Sequence, residues 1–350
     1  MTLVIRSLPD LSEGTARRRF TDRVREESAI VFGSTRDATS VAGEGALCLR
    51  AALDGREEVL VGRYRLAVDD DVFLVLNPQT VYATRIRAEH DVFSFSVHFA
   101  DAMVAEVIDW RQSEEHRLLD RGEYGRGATV RMAENLRPHD RLVSPVLRYL
   151  MFVCRARECD ALWYDEQVHF LLERLVMSHQ AEQARVTHLR AVRARTRREI
   201  HRRIARATDF ILSNYEAPLD LKSMAEVACL EKHHFLKLFS MVHGITPFEF
   251  LRRKRLAVAL RLLRHSTRSH GDIARLAGLG TRHTLLRALK EFTGNSPQEY
   301  KRVANLEASG WHGELARLLE MRREPGAPQE AGGWLFGPAT RRDDLTATVI

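Results

Sequence analysis

The sequence predicts an α+β chain of two unlike parts, a β-rich front that ends in helices and an all-α C-terminal third. Three observations predict it. Residues 30–99 break into short β-type runs separated by Gly, Asp and Asn-Pro; the apolar period turns helical after about residue 100; and a stretch near residue 244 returns 50 residues later. At 350 residues and 45% hydrophobic, the chain has enough apolar material for two or three separately cored domains.

The β-type runs are residues 46–51, 59–66, 72–76, 81–86 and 92–99. The last alternates Phe93, Phe95, Val97 and Phe99 with Ser94, Ser96 and His98, the period of a half-buried strand. Five or more strands at this spacing predict a small sandwich or barrel. Beyond them Leu147, Leu150, Met151 and Cys154, then Val168, Leu171, Leu172 and Leu175, repeat at i, i+3, i+4, i+7. Two helices follow as an antiparallel hairpin, whose apolar stripe serves either packing on the β part or pairing with a second chain. Together residues 1–182 form one β-rich sensing or dimerising domain. Residues 183–200 are an arginine-rich linker or basic helix: nine arginines and one acid, Glu199, lie between Gln183 and Arg206. A C-terminal extension, 304–350, is Gly/Pro-rich and expected to be partly disordered.

Residues 201–303 carry the repeat. Gly244-Ile-Thr-Pro247-Phe-Glu-Phe250 recurs as Gly294-Asn-Ser-Pro297-Gln-Glu-Tyr300. In each copy the glycine suits a helix C-cap, Thr246 or Ser296 an N-cap, and the proline the first helical position, where its missing N–H costs nothing. The same offset pairs Phe235, Lys237, Leu238 and Phe239 with Leu285, Arg287, Ala288 and Leu289. Upstream, the run from Met224 to Leu230 pairs with that from Ile273 to Leu279 at offset 49, and the one-residue slip falls in a turn. Each copy therefore reads as helix, short turn, helix, joined by an amphipathic helix with Leu256, Ala259, Leu260 and Leu263 on one face.

In such a unit the second helix enters the major groove and its exposed N-terminal residues face base edges. With Phe235 and Phe239 as core anchors, Lys232, His233, Leu236 and Lys237 face outward in the first copy. With Leu285 and Leu289 as anchors, Arg282, His283, Leu286 and Arg287 do so in the second, and Thr284 joins them. Arginine and lysine donate to guanine or to phosphate, and histidine to either. The charge agrees: residues 197–302 hold 21 Lys+Arg against 10 Asp+Glu, +11 within a chain of +7, so the rest is −4.

Here the chain resembles the AraC/XylS-type family of bacterial transcription regulators. The resemblance covers about residues 204–302. It rests on the two units, on Arg255-Leu256-Ala-Val-Ala259-Leu-Arg-Leu262-Leu263 between them, and on the Gly-x-Ser-Pro-x-x-Tyr ending from Gly294 to Tyr300. It implies a sequence-specific regulator that binds double-stranded DNA, with a cupin-like front domain controlled by a small-molecule effector, a homodimeric state, and possible contact with RNA polymerase. The sequence departs from the family at Gly278-Leu279, where Gly-Phe is usual, at Thr284-Leu285, where Tyr-Phe is common, at Cys229, where glycine is frequent, and at Glu231, where serine caps. The alternatives are a regulator whose front half only dimerises or meets a protein partner, and an enzyme tethered to DNA.

Other classes are poorly served. Cys48, Cys154, Cys159 and Cys229 have no metal-ligand spacing, and His90, His98, His116 and His139 do not make a cupin metal set, so no metal or cofactor is expected. GxSxG, phosphate-loop and GxGxxG motifs are missing from the sequence, which argues against an enzyme. No run reaches the roughly 18 apolar residues of a membrane helix, and a cytoplasmic location is expected.

Overall fold

The computed structural model describes residues 1–119, 131–156, 159–187 and 194–300. Arginines 190 and 193 of the basic stretch, His116's side chain and the 304–350 extension lie outside the described residues. A mixed architecture results, with a sheet in front and helices behind. The front comprises β1 (Leu3–Ile5), α1 (Gly14–Glu26), β2 (Ala29–Thr39), β3 (Leu47–Leu53), β4 (Arg56–Val61), β5 (Tyr64–Asp69), β6 (Val72–Leu76), β7 (Tyr82–Phe99), α2 (Asp101–Leu119), β8 (Leu136–Pro138), α3 (Ser144–Ala156) and α4 (Ala161–Thr187). Behind them come α5 (Ala194–Ser213), α6 (Leu221–Val227), α7 (Lys232–His243), α8 (Pro247–His265), α9 (His270–Leu276) and α10 (Arg282–Thr293).

The 18-residue β7 organises the sheet, whose order is β1-β2-β7-β3-β6-β8. Its first half pairs with β4 (Val61↔Tyr82, Glu58↔Arg85) and its second half with β3 (Leu53↔Phe93, Leu47↔Phe99), while β2 follows both halves across a bulge at Thr35–Asp37. One strand thus belongs to two pairings, and the sheet curls over itself. The 81–86 and 92–99 runs are therefore parts of one strand. The 59–66 run, by contrast, is a hairpin: Gly62 adopts φ +58°, and Val61 pairs with Tyr64 across a two-residue turn.

Alternation gives the sheet two faces. Leu49, Ala51, Phe73, Val75, Phe93, Phe95 and Phe99 pack against Leu147, Leu150, Val168, Leu171 and Leu175 of α3 and α4. The helical stripe is thus spent on the β part. The other face was expected to meet water but does not, because Ser94, Ser96 and His98 are all buried. Helix α1, which the apolar pattern does not announce, covers that side. It buries Arg17, Thr21 and Val24 at helical spacing, and two of the three are polar.

The two parts share one continuous core. Leu66, Val68, Val72 and Leu74 belong to the same apolar cluster as Ile204, Ile211, Leu256 and Leu260. Polar contacts reinforce it: Ala67 N–H donates to Ser213 Oγ (3.0 Å), Leu136 N–H to Asp209 Oδ1 (2.8 Å), and Arg56 pairs with Glu216 (2.9 Å). At its centre Lys254 of α8, fully buried, donates to Asp69 (2.7 Å) and Asp71 (2.8 Å). One turn pair further on, Arg261 reaches Asp71 (3.0 Å) and Asp70 (3.5 Å).

Candidate nucleic-acid interface and an internal cavity

Five local caps shape the C-terminal helices. Asp220 accepts from Ser223 N–H, Glu231 from the N–H groups of His233 and His234, Thr246 from Glu249, Ser269 from Asp272 and Thr281 from Thr284. Those backbone N–H groups hold the Glu231 carboxyl below its usual range, so glutamate replaces the expected serine without loss of the cap. Gly244 (φ +72°) and Gly294 (φ +73°) terminate α7 and α10 in the left-handed conformation. Ser296 and Glu299 exchange hydrogen bonds, a capping box that opens the last turn.

The turns repeat as closely as the caps. Leu230 N–H donates to Ala225 O (3.0 Å) and Cys229 N–H to Glu226 O (3.0 Å); Leu279 donates to Ala274 (2.8 Å) and Gly278 to Arg275 (3.0 Å). Cys229 and Gly278 hold the same place, with φ +51° and +71°. Around the second turn Arg255 of α8 donates to the carbonyls of Tyr215 and Ala217, both at 2.7 Å, which gives the linker-helix arginine a structural task. Arg203 similarly donates to Cys229 O at the first turn (3.1 Å).

Consequently α7 and α10 present matching surfaces. Phe235, Leu238 and Phe239 are buried, as are Leu285, Ala288 and Leu289. Lys232, His233 and Lys237 are exposed, and so are Arg282, His283 and Arg287; Leu236 and Leu286 are half-buried at the same position of each helix. Thr284 is half-buried too, its hydroxyl 3.0 Å from that of Thr281, so the cap already occupies it. On their first two turns α7 therefore carries four exposed nitrogen-bearing side chains, His234 included, and α10 three. His234, also exposed, was left out of the sequence reading although its register places it with this group.

The curled sheet encloses a second feature, a cavity lined by Arg17, Phe20, Val31, Arg50, Glu57, Ile86, Ser94, Ser96 and His98, with Leu8 and Leu11 among its walls. Arg50 pairs with Glu57 (2.5 Å), and Ser94 donates to the other Glu57 oxygen (3.1 Å). Burial, with Arg50 and Arg17 nearby, pushes the His98 imidazole down to about 3, so it is neutral; Ser96 Oγ lies 3.2 Å from its Nε2. Arg17 lies over the Tyr82 ring at 4.3 Å. Nothing in the sequence marked these residues as a group, because a serine–histidine alternation reads as a wet face. Among the described residues no cluster of His, Cys, Asp and Glu could hold a metal, and no helix is long and apolar enough to cross a membrane.

Comparison with known proteins locates a likeness in the C-terminal helices. Residues 224–303 match the helix-turn-helix domain family. The chain is 26% identical over 100 residues to the bifunctional transcriptional activator/DNA repair enzyme AdaA of Bacillus subtilis, a match spanning 29% of this chain and 47% of AdaA, under half its length. It is also 26% identical over 113 residues to the multiple antibiotic resistance protein MarA of Salmonella typhimurium, covering 32% of this chain and 84% of MarA. Among solved structures, a Chromobacterium violaceum transcriptional regulator, described with AraC-type DNA-binding domain-containing proteins, aligns with a TM-score of 0.28 and 20% identity, over 29% of this chain and 91% of that one.

Proposed function

We propose that this chain, whose residues 224–303 match a helix-turn-helix domain of the AraC type, regulates transcription by binding double-stranded DNA through two recognition helices, α7 and α10. The observation that carries the reading is the duplicated surface. Two helix pairs with equivalent turns each expose a lysine–histidine or arginine–histidine set at the start of the second helix. Those side chains supply donors for guanine edges and phosphates, and both helices pack on α8, which fixes their separation.

Two recognition helices on one rigid element read an asymmetric site of two short boxes. On one face of the duplex, their centres lie about one helical turn, roughly 10 base pairs, apart. Footprinting of genomic fragments retained by the full chain tests this: two protected patches one turn apart are expected. A single patch, or a palindrome that needs two chains, removes the bipartite reading; no protection removes DNA binding.

The front part, on this reading, is a cupin-like sensor whose effector occupies the cavity beneath α1. What supports it is the concentration of buried polar groups there, which a merely structural barrel interior does not need. Filling the cavity with Ser96→Leu is expected to alter a reporter's response to growth conditions while DNA binding persists. An unchanged response leaves the front part as a dimerising or partner-binding module instead.

A further inference from the structure

We infer that the cavity beneath α1 takes a small organic monocarboxylate with an apolar body, an inference that rests on the sensor reading above. The polar groups lining it are incompletely matched to one another. Arg17 Nε, Arg50 Nε and His98 Nδ1 are buried without a hydrogen-bond partner, in residues that are each at most 8% exposed. Buried donors of this kind are unfavourable unless something accepts from them.

The charges define what that acceptor is. Glu57 is engaged by Arg50 and by Ser94, which leaves Arg17 as the surplus cation of the lining; its other contacts are the Tyr82 ring and the Gly43 carbonyl at 3.5 Å. One uncompensated positive charge calls for one negative charge, and a dianion such as phosphate would exceed it beside Glu57. A carboxylate accepts from the two free guanidinium Nε–H groups. In the tautomer whose Nε2 accepts from the Ser96 hydroxyl, neutral His98 donates from Nδ1 to the same anion. The same lining includes Leu8, Leu11, Phe20 and Val31, with the Phe20 ring edge-on to His98 at 5.2 Å, and these suit a short hydrocarbon or a ring. Gly43 belongs to the design: a Cβ there would come within 2.7 Å of Arg17 Cγ, so glycine leaves the arginine stem its room.

The test is a thermal-melt and calorimetric titration of the full chain with hexanoate and benzoate, their primary amides, glucose and inorganic phosphate. Hexanoate or benzoate is expected to raise the melting temperature dose-dependently and to bind at least about ten-fold more tightly than its amide, the margin of a charge-assisted hydrogen bond. Arg17→Met should abolish that preference, and Arg17→Lys, which keeps the charge and guards against a folding artefact, should retain part of it. Amides or glucose binding as well as the acids, or phosphate binding better, overturns the carboxylate assignment and leaves the sensor reading standing. Silence of every probe also overturns the assignment, while the sensor reading is judged separately by the Ser96→Leu reporter.

Discussion

Cys229 is a side chain in a glycine's place. Its φ of +51° lies in the left-handed region, where a Cβ crowds the following carbonyl, while Gly278 holds the equivalent turn without that penalty. Cys229→Gly is therefore expected to stabilise the C-terminal domain by about 1 kcal/mol in urea unfolding; a loss of stability would mean that the thiol packs usefully. Gly278→Ala should go the other way. Besides its φ of +71°, the added Cβ would sit 2.8 Å from Tyr215 O and 3.1 Å from Glu216 Cα, both backbone atoms with little freedom to yield. A different strain sits at Asp209, a buried carboxyl on α5. Burial raises its pKa well above the normal value, and nearby Glu182 raises it further, against the hydrogen bond from Leu136. A carboxyl whose folded pKa exceeds its unfolded one binds its proton more tightly when folded. Its contribution is complete below about pH 4 and is lost as pH rises through the folded pKa. Asp209→Asn keeps the acceptor oxygen and removes the titration, so the variant should gain on the wild type as pH rises from 4 toward neutrality. Melting curves whose difference is flat with pH would refute the assignment.

Among the elements, those that the sequence announces are the ones built from local chemistry. The Gly-x-Thr/Ser-Pro pattern marks C-cap, N-cap and first helical residue within four positions, and the structure places Gly244, Thr246 and Pro247 in those roles. The anchors Phe235, Phe239, Leu285 and Leu289 were legible for the same reason, since helical spacing decides which side chains face in. Long-range decisions were not legible. Whether Ser94, Ser96 and His98 face water depends on α1 arriving from 70 residues away, and α1 itself hides behind arginines and threonines. The Asp69-Asp70-Asp71 run carries no local pattern that would single it out, because its partners Lys254 and Arg261 lie on a helix more than 180 residues later. What α7 and α10 expose can be tried directly. Lys237→Ala and Arg287→Ala should each weaken binding to the preferred DNA site by about 1–3 kcal/mol and relax preference at one base pair if they read bases. If instead both weaken all sequences equally and each reduces the salt slope by about 1, they are phosphate contacts, and base reading moves to the histidines.

At the scale of the whole molecule, the buried charges between the two parts decide how firmly the two proposed recognition helices are held. α8 packs against both α7 and α10, and its Lys254 is inserted under the β5–β6 turn onto Asp69 and Asp71. A lysine removed wholly from water is tolerable only while carboxylates surround its ammonium. The reverse also holds: burial alone would raise the Asp71 carboxyl, but Lys254 and Arg261 together hold it below the usual range. Such a contact contributes stability above the unfolded carboxylate pKa and loses it only as pH falls through the lowered folded value. Being dry, it is also screened little by salt, unlike the exposed cations of α7 and α10. Lys254→Met should consequently cost about 3–5 kcal/mol, because Asp69 loses its cation in an apolar interface and Asp71 is left with Arg261 alone. The triple change Lys254→Met, Asp69→Asn, Asp71→Asn removes both carboxylates with the lysine, leaves Arg261 on Asp70, and should recover part of that loss. Unfolding of the single and triple variants in urea, followed with DNA footprints of each, separates stability from orientation. A single variant within about 0.5 kcal/mol of wild type, the usual range of surface changes, would show that the ion cluster is hydrated and that the apolar core alone joins the two parts. If the triple variant is stable yet its footprint loses the fixed spacing between boxes, the charged cluster sets the geometry with which α8 offers its two helices to DNA.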